Sequence, residues 1–340
     1  MNTIVLEEPG RFTFKQTEPP SRPGSAEARV RVHSVGICGT DIHAYAGRMP
    51  FFTYPVIPGH ELGVEVLDCG EGVSNVERGD RCAVEPYMNC GECAMCRSGK
   101  TNACPNLQVL GIHTDGGMRE EIIVPAGKLH PKNSLQFEQL ALVETLGIGC
   151  HAVNRANLAK GETAVVVGAG PIGLTVVTFA RLVGARVAVV DISADRLAFC
   201  SEAFGVETIL PGGDKGLPSE LARVLGGEPP QVVFDATGNG SSMSGAIHLA
   251  GSGARVVFVG LFNGDVSLND PELHRKELTI LASRNAPSAD FQFIVDRIES
   301  GEIDTRKWVT HRASCEDMIE QFPSWIQPEA RTIKAVVSFA

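Results

Sequence analysis

Two groups of residues along this chain have the types and spacing of metal ligands. The run "NCGECAMCRSGKTNAC" (89–104) holds Cys90, Cys93, Cys96 and Cys104, separated by two, two and seven residues. Cysteines so spaced bind zinc as thiolates, and four of them close a tetrahedron with no position left for a substrate. A catalytic zinc must keep a position open, so it takes a smaller, mixed set of ligands. Candidates for that set are Cys38 in "VGICGTDIHAYAG", His60 and Glu61 in "VIPGHELGVEV", and Glu144 in "LVETLGIGCHAV". Together they offer sulfur, nitrogen and oxygen donors suited to zinc. A lone cysteine or histidine serves as readily in packing.

A third motif concerns phosphate. "VVVGAGPIGL" puts Gly168, Gly170 and Gly173 between an apolar strand and the start of a helix. There the first glycine allows the tight turn, the second admits a pyrophosphate to the backbone, and the third lets helix and strand pack closely. The helix N-terminus then turns its free N–H groups to the phosphates. Asp191 ends the next strand, 18 residues after Gly173, where a carboxylate bonds the ribose hydroxyls and repels a 2′-phosphate. NAD is therefore expected over NADP. Arg196, farther along, is placed either to cover the adenine or reach the ribose, or to stand in solvent on a helix surface.

The elements that must hold these residues differ along the chain. Residues 28–36, 62–68, 81–85 and 121–125 are short valine- and isoleucine-rich segments between turns, which predicts a mostly β first part. From 163 onward "TAVVVG", "RVAVVD", "ETIL", "QVVFD", "ARVVFVG" and "LTILAS" read as six strands with helix-length segments between most of them. That texture is an α/β, doubly wound parallel sheet. "LFNGDVSLNDPELHRKE" reads as a polar connection without helical period. "DFQFIVDRIESG" and "CEDMIEQF" read as amphipathic helices, and "TIKAVVSF" as a closing strand that must join the first sheet.

Composition narrows the function classes. A net charge of -10 without a basic block argues against nucleic acid and against an anionic membrane surface, leaving small molecules as the expected partners. The uncharged run 163–180 is interrupted by Gly-Ala-Gly-Pro-Ile-Gly, which disfavours a membrane span. "MNTIVLEEPG" lacks a basic segment followed by an apolar one, so a cytoplasmic protein is expected. In a reducing compartment the ten cysteines are not read as disulfides; Cys69, Cys82, Cys150, Cys200 and Cys315 are read as buried small apolar residues.

"GICGTDIH", "PGHE", the four-cysteine lobe and "VVVGAGPIG", in this order and at these separations, resemble the zinc-dependent medium-chain dehydrogenases, whose familiar members include sorbitol and threonine dehydrogenases. The resemblance runs from about residue 25 to the C-terminus. It implies a GroES-like β-rich catalytic domain (1–148, with the structural-zinc lobe at 87–106), a Rossmann NAD domain with a six-stranded parallel sheet (149–284), and a return to the catalytic domain (285–340). It implies two zincs per chain. One is catalytic, on Cys38, His60 and Glu61, with Glu144 ligating directly or through water and Asp41 orienting the His60 imidazole. The other is structural, on the four clustered cysteines.

The resemblance further implies alkoxide formation at the zinc and hydride transfer to NAD, with Thr40 passing the hydroxyl proton through the ribose to His43. Ile172, Gly260, Leu261, Ser283 and Arg284 fall where relatives line the nicotinamide and pyrophosphate; Arg284 has a second possible role against the substrate. Further stretches, "CGTDIHAYAGRMPFFTYP", "GIHTDGG", "FDATGN", "FVGLFNGDVSLNDPELHRKE", "SRNA" and "THR", resemble a sugar-acid-oxidising member. They imply a secondary hydroxyl of a sugar acid or polyol as the target, with His113, Arg119 and Asn263 as candidate hydroxyl or carboxylate binders. "GGMREE" departs from the relatives' pattern. Sorbitol-, galactitol- and L-threonine 3-dehydrogenase-like activities use the same machinery, and an inactive NAD-binding relative is the non-enzyme alternative. A homodimer or homotetramer is expected.

Overall fold

The computed structural model describes residues 1–48, 52–211 and 216–339. Of the stretch "CGTDIHAYAGRMPFFTYP", residues 49–51 therefore lie outside the described residues. The chain divides into two compact units, Met1–Thr145 with Ala286–Ala340, and Leu146–Asn285.

The first unit is built on a sheet whose order is Val309–Ser314, Lys334–Ser338, Glu27–Ile37, Glu61–Cys69, Arg81–Val84 and Leu129–Pro131, with Glu121–Pro125 also paired to Glu27–Ile37. Along Glu27–Ile37, Ala28, Val30 and Val32 are buried in alternation, as expected of a strand with one face on the core. From Ser34 to Ile37 both faces are buried, and the strand ends at Cys38. Gly36 pairs with Glu61, and Ala335 with Ile37, so three neighbouring strands bring Cys38, His60–Glu61 and Lys334 to one end of the sheet. Helix Phe137–Ala156 carries Glu144; its first residue stacks on His33 of the sheet, ring centroids 3.9 Å apart.

The second unit is a six-stranded sheet, all parallel, ordered Glu207–Ile209, Arg186–Val190, Thr163–Val167, Val232–Asp235, Arg255–Phe258, Thr279–Ala282. These are the six strands expected from the apolar runs. The order reverses beside Thr163–Val167, where a doubly wound sheet binds ligands at its carboxyl edge. The uncharged run 163–180 is this strand, its turn and the start of helix Pro171–Val183. Among the described residues no helix is long and apolar enough to cross a membrane.

Two local expectations are corrected, and one helix was not anticipated. The polar connection contains a helix, Asp270–Arg275: Asn269 caps it by accepting from the Glu272 N–H, and a proline opens it, so end signals stand in for apolar period. Helix Phe137–Ala156 carries no one-sided apolar period, because Leu140, Ala141, Leu142, Val143, Leu146 and Cys150 are buried nearly all round it. Cys69 is only half-buried, the last residue of its strand, whereas Cys82, Cys150, Cys200 and Cys315 are buried.

Candidate functional site

The ligand atoms of Cys38, His60 and Glu61 lie within 4.8 Å of one another. His60 and Glu61 are buried and Cys38 is half-buried, so the cluster has an open side at the sulfur. His60 Nδ1 and Asp41 Oδ1 are both buried without a hydrogen-bond partner. The expected Asp41–His60 bond is thus not made; the other Asp41 oxygen accepts the Cys38 N–H at 2.8 Å and fixes the turn that presents the thiol. Thr40 Oγ1 stands 3.7 Å from Cys38 Sγ. His43 lies three residues on along helix Gly39–Tyr45, on the same face and exposed.

Glu144 is buried beside these groups, 5% exposed, outside the set within 4.8 Å. Burial raises its carboxyl above the ordinary range. Three buried carboxyls, Asp41, Glu61 and Glu144, and a thiol face one buried lysine. Such an excess of anionic groups matches a dication, and the orphaned imidazole nitrogen matches a histidine with a metal-ligand role; the residues fit zinc.

That lysine, Lys334, was not singled out in the sequence. It is 2% exposed and donates to both Glu61 oxygens, at 2.6 and 2.8 Å, and to the Ile37 carbonyl at 3.2 Å, which uses all three of its protons. Burial works to raise the Glu61 carboxyl, but Lys334 and then His60 hold it below the usual carboxylate range. The glutamate reaches the lysine across Gly36: a Cβ there would lie 2.0 Å from Glu61 Oε2.

The four lobe sulfurs also lie within 4.8 Å of one another. Cys93–Cys96, Cys90–Cys104 and Cys93–Cys104 are 3.5, 3.5 and 3.9 Å apart. A zinc with bonds of about 2.3 Å to four sulfurs requires tetrahedral edges of about 3.8 Å, so these spacings fit one. The Cys96 N–H points at Cys93 Sγ, 3.4 Å away, as thiolate ligands commonly require of the backbone. Among the described residues no cysteine forms a disulfide.

In the second unit, Gly168 takes φ +98°, and a Cβ on Gly173 would meet the Gly168 carbonyl at 1.7 Å, so helix and strand touch here through backbone. Gly170 leaves open space, with Arg196 Nη1 3.8 Å from its would-be Cβ, which places Arg196 beside the phosphate turn. Asp191 accepts from Ala169 N–H at 2.6 Å and Ser193 N–H at 2.8 Å, one on each oxygen, leaving further lone pairs for a ribose. Ile172 and Gly260 are half-buried, and Leu261 is exposed. Ser283 Oγ is buried without a partner beyond the end of the last strand. Ile192 and Leu210, 91% and 54% exposed just past their strands, are apolar surfaces that the sequence did not flag. Asp235, fully buried, holds the "FDATGN" turn by accepting from the Thr237 N–H and hydroxyl and the Ser242 hydroxyl. Of the candidate substrate binders, Arg119 donates to Gly116 O and His113 Nδ1 accepts the Val109 N–H, both within their own loop.

Residues 24–134 match the family model of the alcohol dehydrogenase GroES-like domain, and 171–300 that of the zinc-binding dehydrogenases. Over its whole length the chain is 38% identical to L-galactonate-5-dehydrogenase of Escherichia coli, covering 99% of that protein. It belongs to the zinc-binding alcohol dehydrogenases. A 2-dehydro-3-deoxy-L-galactonate 5-dehydrogenase of Pseudoalteromonas atlantica is 35% identical over 88% of each chain. A short chain alcohol dehydrogenase of E. coli CFT073, solved with NADH, is 30% identical, with a TM-score of 0.92 over 100% of this chain and 99% of that one.

In this zinc-binding dehydrogenase the lobe thiols differ in acidity. The Glu92 and Cys93 N–H groups, followed by Cys104, pull exposed Cys90 down to about 6. At Cys93 the Cys96 N–H works the same way, but desolvation and neighbouring thiols prevail and push it up to about 11. After chelation, iodoacetamide at pH 7 should therefore label exposed Cys90 before Cys93, read by peptide mass spectrometry. The Cys90 rate should fall as pH drops below about 6, since only the thiolate reacts.

Proposed function

We propose that the chain oxidises a secondary hydroxyl of a sugar acid, with L-galactonate at C5 the first candidate. In this reading Cys38, His60 and Glu61 hold a catalytic zinc, the lobe holds a structural one, and the second unit binds NAD. The observation that carries it is the open-sided N/S/O cluster at the strand ends, beside a buried Glu144, in a chain similar over its full length to an L-galactonate dehydrogenase. When bound, zinc supplies Lewis acidity at the substrate hydroxyl and NAD accepts hydride from its carbon.

The chain's own residues supply the rest. The Thr40 hydroxyl, beside Cys38, would accept the substrate's hydroxyl proton as it gives its own to a ribose hydroxyl, which in turn gives its proton to His43. Desolvation and then Arg48 lower the His43 pKa, which favours the neutral imidazole as acceptor and eases release of the proton to water. Asp191 binds the ribose hydroxyls and disfavours a 2′-phosphate.

A panel of sugar acids and polyols with NAD, followed by NADH absorbance, tests this. L-Galactonate should give the highest kcat/KM, and NADP should be the poorer cofactor. Preference for sorbitol, galactitol or L-threonine would move the assignment within the family. NAD binding without turnover on any of them would favour an inactive relative.

A further inference from the structure

We propose that Tyr87 is the positioning residue for Glu144, held in place by a segment, 85–89, that is pinned at both ends. The proposal rests on the reading of Glu144 as a group of the catalytic metal site. The Tyr87 phenol, 2% exposed, donates to Glu144 Oε1. A buried donor aimed at one oxygen of a buried carboxyl fixes how that carboxyl is turned.

The phenol has little freedom to move. Tyr87 and Met88 pair with Val109 and Gln108, and the Tyr87 ring meets the edge of Phe291 at 6.1 Å. Two residues before it, Glu85 is fully buried, accepting from Lys128 Nζ at 2.5 Å and from the Ser288 hydroxyl. Two residues after it, Asn89 accepts from the same Lys128 ammonium at 2.8 Å and donates to Cys96 Sγ at 3.4 Å. One lysine thus ties both ends of the segment, and the far end is bonded to a sulfur of the four-cysteine lobe. The lobe that closes no reaction of its own steadies, through this short segment, a carboxylate of the catalytic metal site.

The test is cobalt(II) affinity at the catalytic site, with zinc kept in the lobe, by chelator competition and the visible bands that report its ligand field. Tyr87→Phe, Glu144→Gln and the double variant are compared with the unaltered protein. Each single change should weaken affinity about 10- to 100-fold, and the double variant should be no weaker than the weaker single one. Tyr87→Phe within twofold of the unaltered protein, with Glu144→Gln weakened, overturns the proposal alone; so do two effects that multiply. An unchanged Glu144→Gln overturns the reading of Glu144 and the proposal with it. Asn89→Ala keeps the phenol and frees one end of the segment, and should weaken cobalt in the same direction by a smaller factor. If Tyr87→Phe does not fold, unchanged cobalt affinity in Asn89→Ala overturns the proposal.

Discussion

Cys38→Ser should lower kcat/KM for sugar-acid oxidation by about a thousandfold or more, leaving NAD binding and one metal per chain. The size follows from what the site supplies: Lewis-acid stabilisation of the reacting oxygen is worth several kcal/mol, and each 1.36 kcal/mol is tenfold in rate. Of the three clustered groups Cys38 is the half-buried one, its backbone N–H held by Asp41 just past strand Glu27–Ile37, while His60 and Glu61 are buried. A serine keeps the turn, because the Asp41 contact is to the backbone N–H of residue 38, but it offers a poor ligand in place of a thiolate. Atomic emission gives the metal count, fluorescence titration the NAD affinity, and NADH absorbance the rate. Turnover within tenfold of the unaltered protein would place the chemistry elsewhere; loss of both metals would show that the two centres are not separable.

The parts of this site legible in sequence are those that depend on local spacing. The four cysteines span 15 residues and the glycine turn six, and chain geometry alone brings such residues together. The six parallel strands were legible for the same reason: a strand buried on both faces, such as Thr163–Val167, is a continuous apolar run. Lys334 was not legible. It opens a closing strand, where a lysine is usually solvated, and it meets Glu61 across 273 residues through two strand pairings that no local pattern encodes. Tyr87 was hidden likewise, since a tyrosine in a short apolar stretch predicts burial but not the partner of its hydroxyl. Gly36 is next to last in strand Glu27–Ile37, and the Glu61 carboxylate lying across it, which sequence does not show, gives the reason for a glycine there.

Lys334→Met should destabilise the metal-free protein by about 3–5 kcal/mol, because it leaves the Glu61 carboxylate buried without its counterion. Methionine matches the length of the lysine stem, so the loss is electrostatic rather than a cavity. The sign with pH follows from the directions of shift. Glu61 is held below its ordinary pKa, so its share of stability is present above the unfolded carboxylate pKa and lost as pH falls through the folded one. Lys334 is held above its ordinary value despite burial, by Glu61 and Cys38, so its share is lost only as pH rises through that raised pKa. The deficit of the variant should thus be largest near neutral pH and shrink in acid, where a protonated Glu61 needs no partner. Glu61→Gln in the Lys334→Met background should recover much of the loss. Zinc should act oppositely: with the lysine gone, the metal takes over compensation of the Glu61 carboxylate, so affinity should rise about tenfold for each 1.4 kcal/mol recovered. Urea denaturation with and without chelator, across pH, measures both. A variant as stable as the unaltered protein when metal-free, and no tighter for zinc, would mean that Lys334 does not share the Glu61 carboxylate with the metal.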